Sequence, residues 1–404
     1  MSATTVNSGA SRLPQFEKLR RGTLFAGIMG MVVSIPGLFS NPQQFFRSYL
    51  VAFVFWMGIP LGCLALLMMH HLTGGGWGYL IRRALESGTR TLWLMAILYL
   101  PLIFGMTYLY GWARPDAAAD PAYVQKHFYL NTPFFLTRSM IYFVVWVGLA
   151  LLLNRWSSEQ DGDAAQTGVQ AAASAKRLEG LSGPGLILWG MMVTFSSIDW
   201  VMSLEPTWFS SIYGMLIMVV QALSAMAFVV LVTRRLADRE PLARIATKQR
   251  FNDLGNLLLT FVMLWAYLSF SQFLIIWSGN MPEETSWYMS RARGSWAALA
   301  VILIILHFAV PFFLLLSRDV KRVPGALSWV AGLLVALTLV DVFWLVAPAF
   351  DAAGPRVHWT NLTLVAGLGG LWIWAFFNQL QARPLLPMAD PGLAEFLVEH
   401  AEGH

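Results

Sequence analysis

Residues 49–69 read YLVAFVFWMGIPLGCLALLMM, an uninterrupted apolar run without one charged side chain. A helix that crosses the roughly 30 Å hydrocarbon core of a bilayer needs about 20 such residues. The run is too long and too continuous for a strand of an outer-membrane barrel, in which polar and apolar side chains alternate. It therefore predicts a transmembrane α-helix.

Nine further runs of the same kind occur along the chain. The ten predicted spans are Thr23–Phe39, Tyr49–Met69, Leu92–Tyr110, Phe135–Leu153, Leu186–Leu204, Ile212–Val232, Leu257–Trp277, Trp296–Leu316, Leu327–Val346 and Leu362–Leu380. Of the 404 residues 57% are hydrophobic and only 12% are charged, about half the charged share of a soluble domain. Because a bilayer leaves backbone polar groups no partner outside the segment, the predicted fold is an all-α integral membrane protein.

The basic residues predict the orientation. If the N-terminus is cytoplasmic, 20 of the 27 Lys and Arg lie in the two tails and the even-numbered connections, and the segment Arg234 to Arg250 alone holds six. Cytoplasmic loops are enriched in Lys and Arg, so both termini are expected on the cytoplasmic side of the membrane. Since the net charge of +5 resides in these connections, the lipid bilayer and not nucleic acid is the expected partner.

The counts of cysteine and histidine bear on redox cofactors. The only cysteine, Cys63, lies in span 2, and an iron–sulfur cluster needs several thiolates. His307 is the only histidine deep in a span, whereas a haem in a bilayer usually takes two axial histidines. We expect neither a cofactor nor a redox metal in this chain.

Spans five and nine share a pattern that indicates an internal repeat. Each begins with Pro-Gly, followed by Trp189 or Trp329, and each carries an aspartate, Asp199 or Asp341, seven residues before a proline. Four spans separate the copies, so both cross the membrane in the same direction, as a parallel repeat requires.

The repeat predicts two four-helix bundles with a peripheral helix at either end. The segments are 1–22 (cytoplasmic), 23–44 (peripheral helix), 45–206 (first bundle), 207–348 (second bundle), 349–381 (peripheral helix) and 382–404 (cytoplasmic tail). The stretch from Ser157 to Gly180 is predicted as a mobile loop or a short amphipathic helix. The tail, with Glu395, Glu399 and Glu402 near its end, is predicted as a docking or solvated segment.

Asp199 and Asp341 are the clearest candidates for a functional site. An ionisable group at this depth costs about 2.5 to 3.5 kcal/mol on insertion scales, so it usually faces a cavity or a partner. Seven residues before the exit proline place each carboxylate about 10 Å below the outer end of its helix. With Ser196, Ser197 and Glu205 they form a candidate file of proton-exchanging groups.

A structural ion pair is the alternative interpretation of the same acids. Arg138, at the outer end of span four, is a candidate partner for Asp199 or Glu205, and an outer arginine, Arg291 or Arg293, is a candidate for Asp341. His307 is either a proton relay or a packing residue. His70 and His71 either mark the polar end of span two or form a cytoplasmic proton entry.

Several motifs resemble one family of membrane subunits. Residues 49–62, 70–75 (HHLTGG), 197–206 (SIDWVMSLEP) and above all 267–284 (YLSFSQFLIIWSGNMPEE) are similar to the ActF subunits of bacterial alternative complex III, which belong to the wider NrfD-like family. The likeness extends from about Phe45 to Pro348. The complex is a quinol:electron-acceptor oxidoreductase, with cytochrome c or a related protein as acceptor.

The resemblance implies a role in coupling quinol oxidation to proton movement in a respiratory or photosynthetic chain. Asp199, Glu205, Asp341 and His307 are then the implied proton path. The implied partners are an ActC-like membrane subunit, where the quinol site is expected, an iron–sulfur subunit and cytochrome c subunits, which would hold the clusters and haem c. A chain of this kind is not expected to be catalytic alone.

Two other functions fit the same sequence. The chain could be a purely structural anchor for the catalytic subunits, with its buried acids in ion pairs. A stand-alone secondary transporter also uses parallel repeats and buried acids, but these acids lie away from the midplane where transporter sites occur.

Overall fold

In the part of the chain that the structure describes, ten helices are long and apolar enough to cross a membrane, which confirms the predicted all-α fold with ten spans. The structure is a computed structural model that describes residues 14–117, 121–162, 168–387, 390–393 and 396. Those residues contain no β-strand. The apolar composition of the runs therefore decides the fold, as helices satisfy their own backbone groups.

The order of the helices follows the order of the predicted spans. The helices are α1 (Pro14–Ser40), α2 (Pro42–Thr73), α3 (Gly76–Thr89), α4 (Leu92–Phe104), α5 (Met106–Leu109), α6 (Pro121–Lys126), α7 (Thr132–Gly162), α8 (Gly168–Trp200), α9 (Tyr213–Leu236), α10 (Lys248–Gly279), α11 (Pro282–Arg291), α12 (Gly294–Ile302), α13 (Val310–Leu316), α14 (Arg318–Arg322), α15 (Pro324–Val346) and α16 (Trp359–Gln381). Spans 1, 2, 4, 5, 6, 7, 9 and 10 are α1, α2, α7, α8, α9, α10, α15 and α16. Span 3 is α3 with α4, and span 8 is α12, a π-helix at Leu303–Ala309 and α13. The end at which span 1 begins and span 10 ends is termed the proximal end, and the other the distal end.

Span 3 differs from its predicted limits. Its first helix begins at Gly76, well before the predicted start, and its second ends at Phe104. The charged residues Arg82, Arg83 and Glu86 lower the hydropathy of α3, but all three are buried and paired with one another. A mean hydropathy treats every charged residue as unfavourable in a membrane, so it does not detect a helix whose charged side chains form ion pairs with one another.

The segment from Ser157 to Gly180 also differs from its predicted form. Span 4 continues to Gly162 and span 5 begins at Gly168, so the described part of this segment is helical. Residues 163–167 lie outside the described residues. The loop alternative is wrong for most of this segment, and the helical alternative is right in type but not in form, because the two spanning helices extend beyond their apolar runs.

Spans 2 and 6 form the centre of the molecule. They pack against each other, span 5 packs against both, and span 9 packs mainly against span 6. Gly62 allows this approach, because a Cβ atom added there would lie 2.0 Å from the carbonyl oxygen of Gln221. Small residues at helix contacts are the usual way for membrane helices to gain packing contacts.

Spans 1 and 10 pack along each other at the edge of the molecule. A Cβ atom at Gly30 would lie 2.6 Å from the backbone nitrogen of Gly367, so glycines on both helices set their separation. Span 10 also covers span 2, where Trp56 donates to the carbonyl of Val365 at 2.9 Å. The division into bundles 45–206 and 207–348 stays a prediction.

The first part of the C-terminal tail folds back onto the proximal end. Leu386 and Leu393 are buried, and Asp390 forms an ion pair with Arg82 of span 3. Glu395, Glu399 and Glu402 lie outside the described residues. The tail is thus a docked segment as far as the structure describes it.

Candidate functional site

Asp341 is buried in span 9 and has one neutral hydrogen-bond donor. The indole Nε1 of Trp265, in span 7, donates to Asp341 Oδ2 at 3.0 Å. None of the described Lys, Arg or His side chains forms an ion pair with Asp341. A buried carboxylate without a cation bears the full cost of its charge whenever it is ionised, and binding a proton removes that cost.

His307 packs against the same tryptophan. The His307 and Trp265 rings are 4.6 Å apart, and the imidazole is fully buried. Neither ring nitrogen has a hydrogen-bond partner among the described residues. Unpartnered buried nitrogens are available to water or to a proton, and a neutral imidazole can donate with one nitrogen while it accepts with the other.

The backbone around His307 departs from the α-helix. Residues Leu303–Ala309 form a π-helix, and Pro311 follows it in span 8. Proline has no N–H to donate to the carbonyl of His307 four residues earlier, which disturbs the regular ladder at this point. Single π turns inside helices are frequent at functional sites. Spans 7, 8 and 9 thus bring Trp265, His307 and Asp341 together, and we term these three residues the Asp341 cluster.

Asp199, in span 5, has a different environment. Arg138 of span 4 donates from Nε and Nη2 to the two carboxylate oxygens of Asp199, both at 2.8 Å, and Tyr142 Oη donates to Oδ2 at 2.6 Å. Arg138 also lies over the ring of Tyr129 at 3.8 Å. Two parallel bonds to one carboxylate fix both charge and geometry. The structure therefore places Asp199 in the ion pair of the alternative interpretation.

The helix around Asp199 also ends earlier than expected. Span 5 finishes its α-helix at Trp200, and a short 3-10 turn, Met202–Leu204, follows. Asp199 therefore lies in the last turn of its helix and not two turns inside it. The hydroxyls of Ser196 and Ser197 donate to the carbonyls of Val193 and Thr194, at 3.1 and 2.7 Å. Neither serine is hydrogen-bonded to Asp199.

Glu205 pairs with Arg291 at the distal end. Arg291 Nη2 donates to Glu205 Oε1 at 3.0 Å and to the carbonyl of Leu345 at 3.0 Å, and the guanidinium lies 3.7 Å from the Trp287 ring centre. Burial lowers the pKa of Arg291, and the charge of Glu205 partly opposes that shift. Arg291 thus links Glu205, in the connection after span 5, to Leu345 at the end of span 9.

The pairing of Arg291 corrects one expectation. In the ion-pair interpretation Arg291 or Arg293 is the candidate partner of Asp341, but Arg291 binds Glu205 and Arg293 is exposed without an ion pair among the described residues. The physical reason is position: Asp341 lies five residues before the end of span 9 and faces span 7, where Trp265 is its hydrogen-bond partner among the described residues.

His70 and His71 lie at the proximal end, away from the buried aspartates. The His71 Nδ1 is 3.2 Å from the Ser182 hydroxyl of span 5, and the ring of His70 packs against those of Trp77 and Tyr79. The His70 Nδ1 has no partner among the described residues. Both histidines therefore contact neighbouring helices and not the Asp341 cluster.

A second buried polar cluster lies nearby and was missed by sequence reasoning. Arg82 Nε donates to Glu86 Oε1 at 2.9 Å and Arg83 Nη1 to Glu86 Oε2 at 2.6 Å, while Ser157 Oγ of span 4 donates to the same carboxylate at 2.7 Å. Asp390 binds Arg82, as noted above. The predicted span limits placed these residues in a loop. Their spacing of three and four residues on a helix is the signal that could have found the pairs.

Two findings bear on cofactors and relatives. The described residues contain no group of three or more His, Cys, Asp and Glu side chains that could hold a metal ion. The chain matches no protein-family model and no curated protein. The family resemblance therefore rests on the sequence motifs, and the expected absence of a cofactor stays a prediction.

Proposed function

We propose that this chain is a membrane subunit of a quinol-oxidising electron-transfer complex and that the Asp341 cluster exchanges protons in it. One observation carries the proposal: a buried carboxylate and a buried imidazole contact the same tryptophan, and among the described residues the carboxylate has no cation and neither imidazole nitrogen has a partner. Ion pairs hold a charge in place, whereas a carboxyl group and an imidazole without partners can each gain and lose a proton.

Within the cluster the three residues have different roles. Trp265 is a donor only, so it positions the carboxylate and does not pass protons. Transfer between His307 and Asp341 then requires water in contact with the free imidazole nitrogens. Each charge moved across the full membrane works against about 2.3 kcal/mol per 100 mV, so exchange between His307, near mid-span, and Asp341, nearer the distal end of span 9, carries a proton across only part of the field.

Membership of a redox complex rests on the motifs at 70–75, 197–206 and 267–284. One cysteine is too few for an iron–sulfur cluster in this chain, and the resemblance assigns the clusters, haem c and the quinol site to an ActC-like membrane subunit and other partners. Purification in mild detergent tests this. Co-purifying haem and iron–sulfur chains are expected, and a lone, monodisperse chain with no such partners would overturn the proposal in favour of a transporter.

The proton step is tested by Asp341→Asn in the assembled complex. Asparagine keeps the size of the side chain and can accept from Trp265, but it cannot release a proton. In vesicles, we expect fewer protons moved per electron while quinol oxidation continues. Glu283→Gln is the matched control, since it removes an exposed acid at the distal end. An unchanged ratio in the Asp341 variant would make the carboxylate structural.

The second candidate function, a structural anchor, is favoured by the Arg138–Asp199 pair. The two are compatible if the first half of the chain supports the fold and the second half exchanges protons. Asp199→Asn separates them, because an anchoring acid should affect assembly before it affects the number of protons moved per electron.

The proposed orientation has both termini on the cytoplasmic side of a bacterial inner membrane. Single cysteines at Arg244 and Glu284 test it, because these residues follow an even-numbered and an odd-numbered span. The native Cys63 is fully buried and gives little background. The cysteine that replaces Arg244 should react with a membrane-impermeant thiol reagent only from the cytoplasmic side, and the cysteine that replaces Glu284 only from outside. The opposite pattern would reverse the orientation.

A further inference from the structure

A groove of about 350 Å³ opens between spans 3 and 4 near the proximal end. Val147, Leu151, Asn154, Arg155 and Ser158 line it from span 4. Each of these positions is three or four residues from another of them, so they form one face of the helix, which rises about 16 Å from the first to the last. No residue of the candidate proton site contributes to this groove.

The polarity of both walls changes at the same level. On span 4, Val147 and Leu151 give way to Asn154 and Arg155 toward the proximal end. On the wall formed by span 3, Trp93 lies deeper in the membrane and Arg90 lies at the proximal side. A groove with an apolar lower part and a polar mouth fits a molecule with a polar head and an apolar chain.

The charges at the mouth favour an anionic head. The guanidinium of Arg90 donates to Asn154 Oδ1 at 2.7 Å, and it forms no ion pair with a described carboxylate. Arg155 pairs with Glu159 at 2.8 Å, and both side chains are exposed. Two cations thus face one carboxylate, which leaves a net positive charge where the groove opens.

The apolar part is open to the surroundings of the protein. Trp93 and Leu151 are 47% and 64% exposed, and both lie within membrane spans, where lipid chains are the surrounding medium. Basic pockets between transmembrane helices are known to bind anionic lipid head groups. The volume is too small for a whole lipid, so the groove would hold a head group and the start of one chain.

We propose that this groove binds an anionic phospholipid, with its phosphate between Arg90 and Arg155 and an acyl chain along Trp93 and Leu151. The inference stands apart from the proton site and does not depend on the proposed function. A neutral lipid offers the same chains without the charge, so the two arginines should make the difference between the lipids.

Native mass spectrometry of the detergent-purified protein, titrated with phosphatidylglycerol or phosphatidylcholine of equal chain length, tests the proposal. The wild type should retain phosphatidylglycerol in preference. An arginine at a membrane surface contributes about 1 kcal/mol, so Arg90→Gln and Arg155→Gln should each weaken phosphatidylglycerol binding about fivefold. Binding of phosphatidylcholine should not change.

Arg318→Gln is the matched control, because Arg318 is exposed at the same end and has no ion pair among the described residues. If its effect equals that of Arg155→Gln, the preference comes from general surface charge and the site is refuted. Should Arg90→Gln fail to fold, the exposed Arg155 still provides the test. Equal retention of the two lipids by the wild type, or displacement of lipid by soluble glycerol phosphate at equal concentration, would also overturn the proposal.

Discussion

Asp199 and Asp341 occupy matching positions in the two sequence repeats, but their partners differ in charge. Asp199 receives two bonds from a guanidinium and one from a tyrosine. Asp341 receives one bond from a neutral indole. The comparison shows that burial alone does not tell what a carboxylate does in a membrane, because the charge of its partner decides whether it is held as an anion.

Other matching positions have also diverged. Trp189 in span 5 is buried, while Trp329 in span 9 is 83% exposed. Span 4 supplies Arg138 to the first copy, and span 8 supplies a π-helix with His307 to the second. Among the described residues, the second copy therefore lacks the arginine partner that its matching aspartate has in the first copy, and the proposed proton exchange at Asp341 rests on that difference.

The largest expected effect is the loss of the arginine from the Asp199 site. Arg138→Met leaves a buried carboxylate without its cation and should lower the free energy of unfolding by about 3 to 5 kcal/mol. Denaturant titration in detergent micelles measures it, with Arg155→Met as an exposed control that should change little.

Adding Asp199→Asn to Arg138→Met should restore part of the stability, because no unpaired charge then remains. If the double variant loses as much stability as the two single variants together, the two groups do not interact, and Asp199 can no longer be described as the ion-paired aspartate of the comparison.

The two aspartates should respond differently to the same change. Asp199→Asn leaves Arg138 without an anion, but the amide oxygen can still accept one of its two bonds, so the change should cost about 2 kcal/mol, less than the loss of Arg138. Asp341→Asn leaves no charge unpaired and should change the free energy of unfolding by less than about 1 kcal/mol. The same titration compares them, and equal losses would mean that Asp341 has an ionic role after all.

Trp265→Phe sharpens the second half of the comparison. Phenylalanine keeps an aromatic ring against His307 but removes the donor to Asp341, so a loss of about 1 to 2 kcal/mol is expected. Trp329→Phe, at an exposed position, is the control. When Asp341 is already Ala, the Trp265 change should cost less. An unchanged cost would show that the indole acts through packing alone.

Hydropathy predicted the number and order of the spans because each run is apolar independently of its neighbours. It failed at α3, where Arg82, Arg83 and Glu86 are buried by pairing that a window average does not see. Spans 4 and 5 extend past their apolar runs, because a helix satisfies its own backbone hydrogen bonds and can continue beyond the hydrocarbon region.

The sequence indicated the ionisable residues of the candidate site more completely than the side chains that contact them. Asp199, Asp341 and His307 stood out because polar groups are rare at membrane depth, and Arg138 was a correct candidate for Asp199. Trp265 was missed, since a tryptophan in an apolar span looks like packing until its N–H is seen to meet a carboxylate. Partners come from helices far apart in the sequence, and one sequence does not contain that pairing.

Glu205 provides the smallest and last test, because its environment lies between those of the two aspartates. It pairs with Arg291 as Asp199 pairs with Arg138, but its side chain is 22% exposed. Water and salt screen a partly exposed pair, and Arg291 keeps the carbonyl of Leu345 and the ring of Trp287. Glu205→Gln should therefore cost less than about 1 kcal/mol. The cost should shrink between about 0.1 and 1 M salt, because the Debye length falls from about 10 Å to about 3 Å over that range. Asp199→Asn should show no such salt dependence, because its pair is fully buried. If both losses respond to salt alike, solvent reaches Asp199, and the contrast between a fixed ion pair and an exchangeable acid would have to be abandoned.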